Sequence, residues 1–339
     1  MKLRRTPALA ALAAVVLAAC GAAQALAPRV ALREAAKATA AQAGTALTLG
    51  LVGSEADINT LLNEGKELSA EERKGMAALR TSRLTISTDR GPDAASPADD
   101  RFAVDLTLGD VAHAVEIRMV DKVLYARADV AGLARQFDAD PALVDKAVAG
   151  AGAAGLGFLS EAAAGHWIST DLSPVVQQGT WGLPGVPGLP AGGIAGLVEA
   201  VKATFGQDVA VARLKPDGTG DHYALTVPLR RVYERLLPAI GGLTGGLPGA
   251  SAVPPLEAVP DRSVTADAWV SDGRIVRGEL DLTQFAEQGS AGKPPGRVAL
   301  RVDIAPLTGG VKAPEGAVKV DFSQIFSRLA GAVPGLRPA

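Results

Sequence analysis

The sequence predicts an α+β protein organised around an antiparallel sheet, and two observations predict it. Apolar and polar residues alternate in about twelve short runs, many joined in pairs by tight turns, as in hairpins with one apolar face. Helical segments sit between groups of strands instead of following each strand in turn. That order counts against a doubly wound fold and against a two-lobed solute-binding protein.

Taken along the chain, residues 30–43 are rich in Ala, Arg, Glu, Lys and Gln and favour a first helix. Leu47, Leu49 and Leu51 then alternate with Thr48 and Gly50, the strand period. Ser54 precedes a helix over 55–64, and Ser69 stands three residues before Glu72, the spacing of a capping box. Leu84 and Ile86 begin a meander that continues, after an acidic loop at 89–100, through Phe102, Val104, Leu106 and Leu108. It returns through Val115, Ile117 and Met119, and Asp121-Lys122 turns it into 123–127. Asp129 caps a helix over 130–137, and Asp140-Pro141 opens another with proline in its first turn.

A Gly/Pro-rich stretch at 182–193 separates two halves, the second repeating the first in outline. It reads as a helix at 194–205, strands at 209–214 and 222–227, and a helix at 230–240. A second Gly/Pro loop at 241–260 leads to strands at 264–270, 274–282 and 298–304, and Val318, Val320 and Phe322 end the sheet. The alternation points Val104, Leu106, Val115, Ile117, Leu280, Leu282, Leu300 and Val302 inward, with Leu49 on the same apolar set. Asp105, Glu116, Arg118, Asp281 and Arg301 are expected to face out.

Composition narrows the function. The 339 residues carry 34 Lys+Arg against 36 Asp+Glu, a formal charge of −2, which lacks the cation surplus a nucleic-acid binder needs. Aromatics at 4% are too sparse for a base-stacking platform, while 48% hydrophobic residues suffice for a core. One cysteine excludes an internal disulfide framework and a cysteine-based zinc cluster. No nucleophile elbow, HExxH pair or Walker loop accompanies His113, His166 or His222, which read as solvated strand-end residues. The GxGxxG match at Gly150, Gly152 and Gly155 follows a helix rather than a strand, so it is not a dinucleotide fingerprint. No enzymatic activity, metal or cofactor is expected.

The N-terminus states an address. Lys2, Arg4 and Arg5 precede an apolar run at 7–19, too short to span a bilayer and fitting a signal-peptide core. The run ends in Leu17-Ala18-Ala19-Cys20-Gly21, which looks like a bacterial lipobox. There the signal is cut before the cysteine, whose thiol receives a diacylglycerol; two or more acyl chains hold a protein stably on a membrane. The expectation is a signal peptide at 1–19, a lipidated tether and the first helix at 20–45, and one domain of two similar halves at 46–330, on the extracytoplasmic face.

Several stretches together resemble actinobacterial lipoproteins of the LppX/LprG type, within a superfamily that includes the LolA/LolB lipoprotein carriers. They are Lys37-Ala-Thr39 with the following Ala-Gly-Thr-Ala-Leu-Thr-Leu, 120–129, His166-Trp-Ile-Ser-Thr-Asp171, 268–281, and Val318-Lys-Val-Asp-Phe-Ser323. The resemblance implies a curved, unclosed half-barrel of about 10–12 strands, with helices over its concave face and an apolar cavity between them. It also implies non-catalytic binding or carriage of an acylated lipid or glycolipid at the cell envelope. The inward-facing residues Leu49, Val104, Leu106, Val115, Ile117, Leu280, Leu282, Leu300 and Val302 would then line the cavity. A rival reading is an envelope sensor or scaffold with a packed interior that binds a protein partner.

Overall fold

The computed structural model describes residues 27–63, 65–91, 101–153, 156–173, 209–244, 255–286 and 296–321. Cys20 and the expected signal peptide, the helix expected at 194–205, and Phe322 lie outside them, as do most of the loop at 89–100 and half of that at 241–260. The chain forms two compact units, each discontinuous in sequence. One comprises Met1–Gln42, Val52–Lys66 and Val186–Ile304; the other comprises Ala43–Leu51, Glu67–Gly185 and Ala305–Ala339. One of the divisions falls within the Gly/Pro stretch 182–193.

The second of these, called here the meander unit, carries β1 (Gly44–Val52), β2 (Arg83–Asp89), β3 (Arg101–Leu108), β4 (Val111–Val120), β5 (Val123–Ala128), β6 (Ile168–Asp171) and β12 (Val318–Lys319). Their spatial order is β12-β6-β5-β4-β3-β2-β1. Every pair is antiparallel except β12 with β6, which is parallel and two residues long. The parallel pair was not legible in the alternation of Val318 and Val320, because period gives the faces of a strand and not its direction.

Four helices belong to this unit: α3 (Ala70–Thr81), α4 (Val130–Gln136), α5 (Pro141–Ala153) and α6 (Phe158–Ala163). The capping box at Ser69 is made in full. Glu72 N–H donates to Ser69 Oγ at 3.2 Å, and Ser69 N–H donates to the Glu72 carboxylate at 2.8 Å. Asp129 caps α4 by accepting from Gly132 N–H at 2.7 Å. Gly150 and Gly152 sit inside α5, where no dinucleotide turn exists.

The first unit, called here the packed unit, orders its strands β11-β10-β9-β8-β7. They are β7 (Ala210–Arg213), β8 (Asp221–Pro228), β9 (Ser263–Ser271), β10 (Arg274–Asp281) and β11 (Ala299–Pro306), whose last two residues pass into the meander unit. The four pairs within β7–β11 are antiparallel. Helices α1 (Ala27–Ala40), α2 (Glu55–Asn63) and α7 (Leu229–Thr244) complete it. Thr39 of α1 accepts Ile275 N–H of β10 at 2.9 Å while donating to Ala35 O, which ties helix to strand. Leu282, read as the end of a strand, instead opens a short 3₁₀ turn (Leu282–Phe285), where Asp281 accepts from Thr283 N–H at 2.9 Å.

The fold class is therefore the α+β, antiparallel, unclosed arrangement that the sequence predicts, since in neither unit does the strand order return on itself. The core is distributed unequally. In the packed unit Leu32, Ala36, Ile58, Leu225, Val232, Leu236, Val264, Ala266, Leu280 and Val302 are all buried. Among the described residues of the meander unit, full burial is confined to fewer positions, including Ala78, Val111, Ala114, Met119 and Val120.

Candidate functional site

Register turns the alternation of the meander unit into cross-strand rows. Leu47, Ile86, Val104, Ile117, Ala126 and Ile168 stand directly opposite one another from β1 to β6. A second row runs Leu49, Leu84, Leu106, Val115 and Ala128 from β1 to β5. Every member of both rows is half-buried, neither sealed in a core nor fully exposed. Adjacent rows on one face of a sheet make a continuous surface. Leu49, Val104, Leu106, Val115 and Ile117 thus lie together on one apolar face.

The remaining residues expected beside them belong to the packed unit. Leu280 pairs with Leu300 and with Ala266, and Val302 pairs with Gly278. Leu280 and Val302 are buried at 1% and 4% exposure, while Leu300 and Leu282 are half-buried. The two groups differ in how much apolar surface is left uncovered.

The opposite face of the meander unit is polar but not simply solvated. One row reads Thr48, Thr85, Asp105, Glu116 and Arg127. Glu116 was expected to face solvent; it is on the predicted face, yet it is buried at 4% exposure. Arg127 and Arg118 explain this: both guanidiniums donate to its carboxylate, Arg118 at 3.0 Å. Burial pushes the Glu116 carboxyl up, and the hydrogen bonds and charges of the two arginines outweigh that, holding it below the ordinary carboxylate range. Both guanidiniums also stand over the Trp167 ring, 4.7 and 5.0 Å from its centroid.

The packed unit repeats the device. Asp267 on β9, Glu279 on β10 and Arg301 on β11 are in direct register, as Asp105, Glu116 and Arg127 are on β3, β4 and β5. Glu279 is buried at 2% and accepts from Arg297 and Arg301, each at 2.6 Å. In each unit the aspartate of the row binds a histidine: His113 at 2.7 Å from Asp105, and His222 at 2.9 Å from Asp267. His222 is not the solvated residue its sequence position suggested. It is mostly covered and stacks on Trp269, with centroids 4.3 Å apart. His113 and His166 are exposed, as expected, each beside a carboxylate.

Asp105, His113 and Glu116 place one ligand atom each within 4.8 Å of the others. Both Glu116 oxygens already accept from guanidiniums, and two positive charges at that carboxylate oppose a cation. The cluster is accounted for as a charge-balanced strand-pairing network.

A groove of about 680 Å³ lies within the meander unit where α3 and α4 meet the β3–β4 turn. Ala78 and Val111, both buried, form its floor; Lys74, Arg80, Arg135 and Gln136 are among its walls. Nothing in the sequence marked this site, because its residues come from three elements brought together only by the fold. No helix among the described residues is long and apolar enough to cross a membrane.

No protein-family model matches the chain, and no curated protein matches it. Among solved structures, the Mycobacterium tuberculosis lipoprotein LppX is similar at 11% identity and a TM-score of 0.32, over 84% of this chain and 97% of that one. LprF from Mycobacterium bovis is similar at 9% identity and a TM-score of 0.33, over 85% of this chain and 96% of that one. These are proteins of the type that the sequence motifs resemble, and at such values the roles of individual residues do not transfer.

Proposed function

We propose that the protein is a membrane-anchored envelope lipoprotein that binds or carries an acylated lipid or glycolipid and performs no catalysis. The observation that carries this reading is the pair of apolar rows on the meander unit, continuous from β1 to β5 and half-buried throughout. Burying apolar surface is worth about 25 cal/mol per Å², so an acyl chain laid along these rows would gain affinity without specific polar contacts. The lipobox at Cys20 supplies the anchor and the extracytoplasmic location in this reading.

Native mass spectrometry of the chain from Gly21 onward, which lacks its own acyl group, tests it. An added mass that dissociates as an acylated lipid is the expected result. A protein that is lipid-free from its native host and takes up nothing from a total lipid extract would replace this reading with that of a partner-binding envelope scaffold.

A further inference from the structure

A third row flanks the other two on the apolar face of the meander unit. Thr45, Thr88, Phe102, Met119, Leu124 and Thr170 stand opposite one another from β1 to β6. Each lies two residues along its strand from the row of Leu47 and Ile168, and so on the same face. None of the residues paired in the three rows is charged. The third row is exposed at Thr88 and ends buried at Thr170, which keeps 8% of its surface.

Thr170 breaks the chemistry of this face. Its hydroxyl is shut off from solvent and, among the described residues, has no hydrogen-bond partner. On the polar face of the same unit, Thr48 and Thr85 satisfy each other at 3.1 Å. The neighbours of Thr170 on its own face, Leu124 across β5 and Ile168 along β6, carry no side-chain acceptor. Valine has nearly the same shape and would fill the position without leaving a buried hydroxyl unpaired, so the hydroxyl calls for a partner that the chain does not supply.

We infer that Thr170 is the polar contact of the lipid site, its hydroxyl donating to the carbonyl oxygen of an acyl ester whose chain lies along the three rows. The inference rests on the lipid-binding reading and adds the linkage that the site reads. An ester carbonyl accepts a hydrogen bond and brings no charge onto the face. A free carboxylate would be desolvated against strand residues that offer it no cation, and an ether has no carbonyl to offer. Away from water, the single bond from Thr170 is electrostatically stronger than it would be in solvent.

The test uses the full chain, purified in a neutral detergent and titrated calorimetrically with dioctanoylglycerol, its dioctyl ether analogue and octanoate. Wild type is expected to bind the ester about tenfold tighter than either other probe. Thr170→Val should lose about tenfold for the ester and nothing for the ether. Its melting midpoint without lipid should be equal to wild type or higher, because a buried unpaired hydroxyl has gone. Thr170→Ser keeps the hydroxyl and should keep the preference for the ester. A threonine with a purely structural role would not give weaker ester binding in a protein that is no less stable.

Ester binding unchanged in Thr170→Val, or reduced equally for ester and ether, would overturn the assignment and leave lipid binding standing. Octanoate binding as tight as the ester would overturn the ester linkage in favour of a free acid. Failure of both ester and ether to bind wild type would remove the lipid-binding reading and this inference together.

Discussion

Glu116 shows what a single residue contributes here. Its carboxylate is buried on a polar face and accepts from Arg118 and Arg127, so its removal leaves two facing guanidiniums with no shared partner. Breaking a buried pair by deleting one member typically costs about 3–5 kcal/mol, and Glu116→Gln should fall near the low end because both arginines keep some water. Urea denaturation of the two proteins at neutral pH measures the difference. The same group sets an acid dependence. Its folded pKa lies below the unfolded value, so its contribution is complete above about pH 4.3 and is lost as pH falls through the folded value. The wild-type advantage over Glu116→Gln should therefore shrink, not grow, as pH falls from 6 into the range below the unfolded value; an advantage that increases on acidification would contradict the assignment.

The strands behave differently in the two units, although their patterns look alike in sequence. β3 and β9 both alternate, yet the apolar residues of β3 are half-buried while Val264, Ala266 and Ala268 of β9 are buried. Space explains the contrast and predicts its consequence. Leu280→Trp inserts a large ring into a close-packed core and should cost about 1–3 kcal/mol through overpacking. Leu106→Trp or Ile117→Trp, on the half-buried rows, should be tolerated with a midpoint close to wild type while reducing lipid uptake. Equal destabilisation at all three positions in denaturant melts would mean that the rows are packed as tightly as the core.

At the scale of the molecule, the repeated Asp–Glu–Arg row gives each unit its own register lock. A slip of one residue would turn Glu116 or Glu279 onto the apolar face without its arginines. The halves are thus alike in their polar device and unlike in their apolar faces, one closed and one partly open. In the proposed reading, retention at the membrane rests on Cys20. Cys20→Ala should abolish acylation and yield either a released protein or an uncleaved precursor, read by membrane fractionation and by mass. A cleaved, membrane-retained Cys20→Ala protein would contradict the lipobox reading.

Local chemistry made much of this fold legible. The capping box at Ser69, the Asp129 cap, the turn at Asp121-Lys122 and the two faces of β3, β4, β9 and β10 follow from neighbouring residues, because periodicity and hydrogen-bonding chemistry act over a few positions. The side of the sheet on which Val104, Leu106, Val115 and Ile117 lie was legible for the same reason. The sequence did not reveal that Glu116 would be buried, since its partner Arg127 is a cross-strand neighbour and becomes one only when β4 pairs β5. Nor did it reveal the parallel pairing of β12, the covered position of His222, or the groove that joins Arg80 to Arg135. Those depend on which distant segments meet, and only the tertiary structure decides that, because alternation assigns a residue to a face without saying what will cover it.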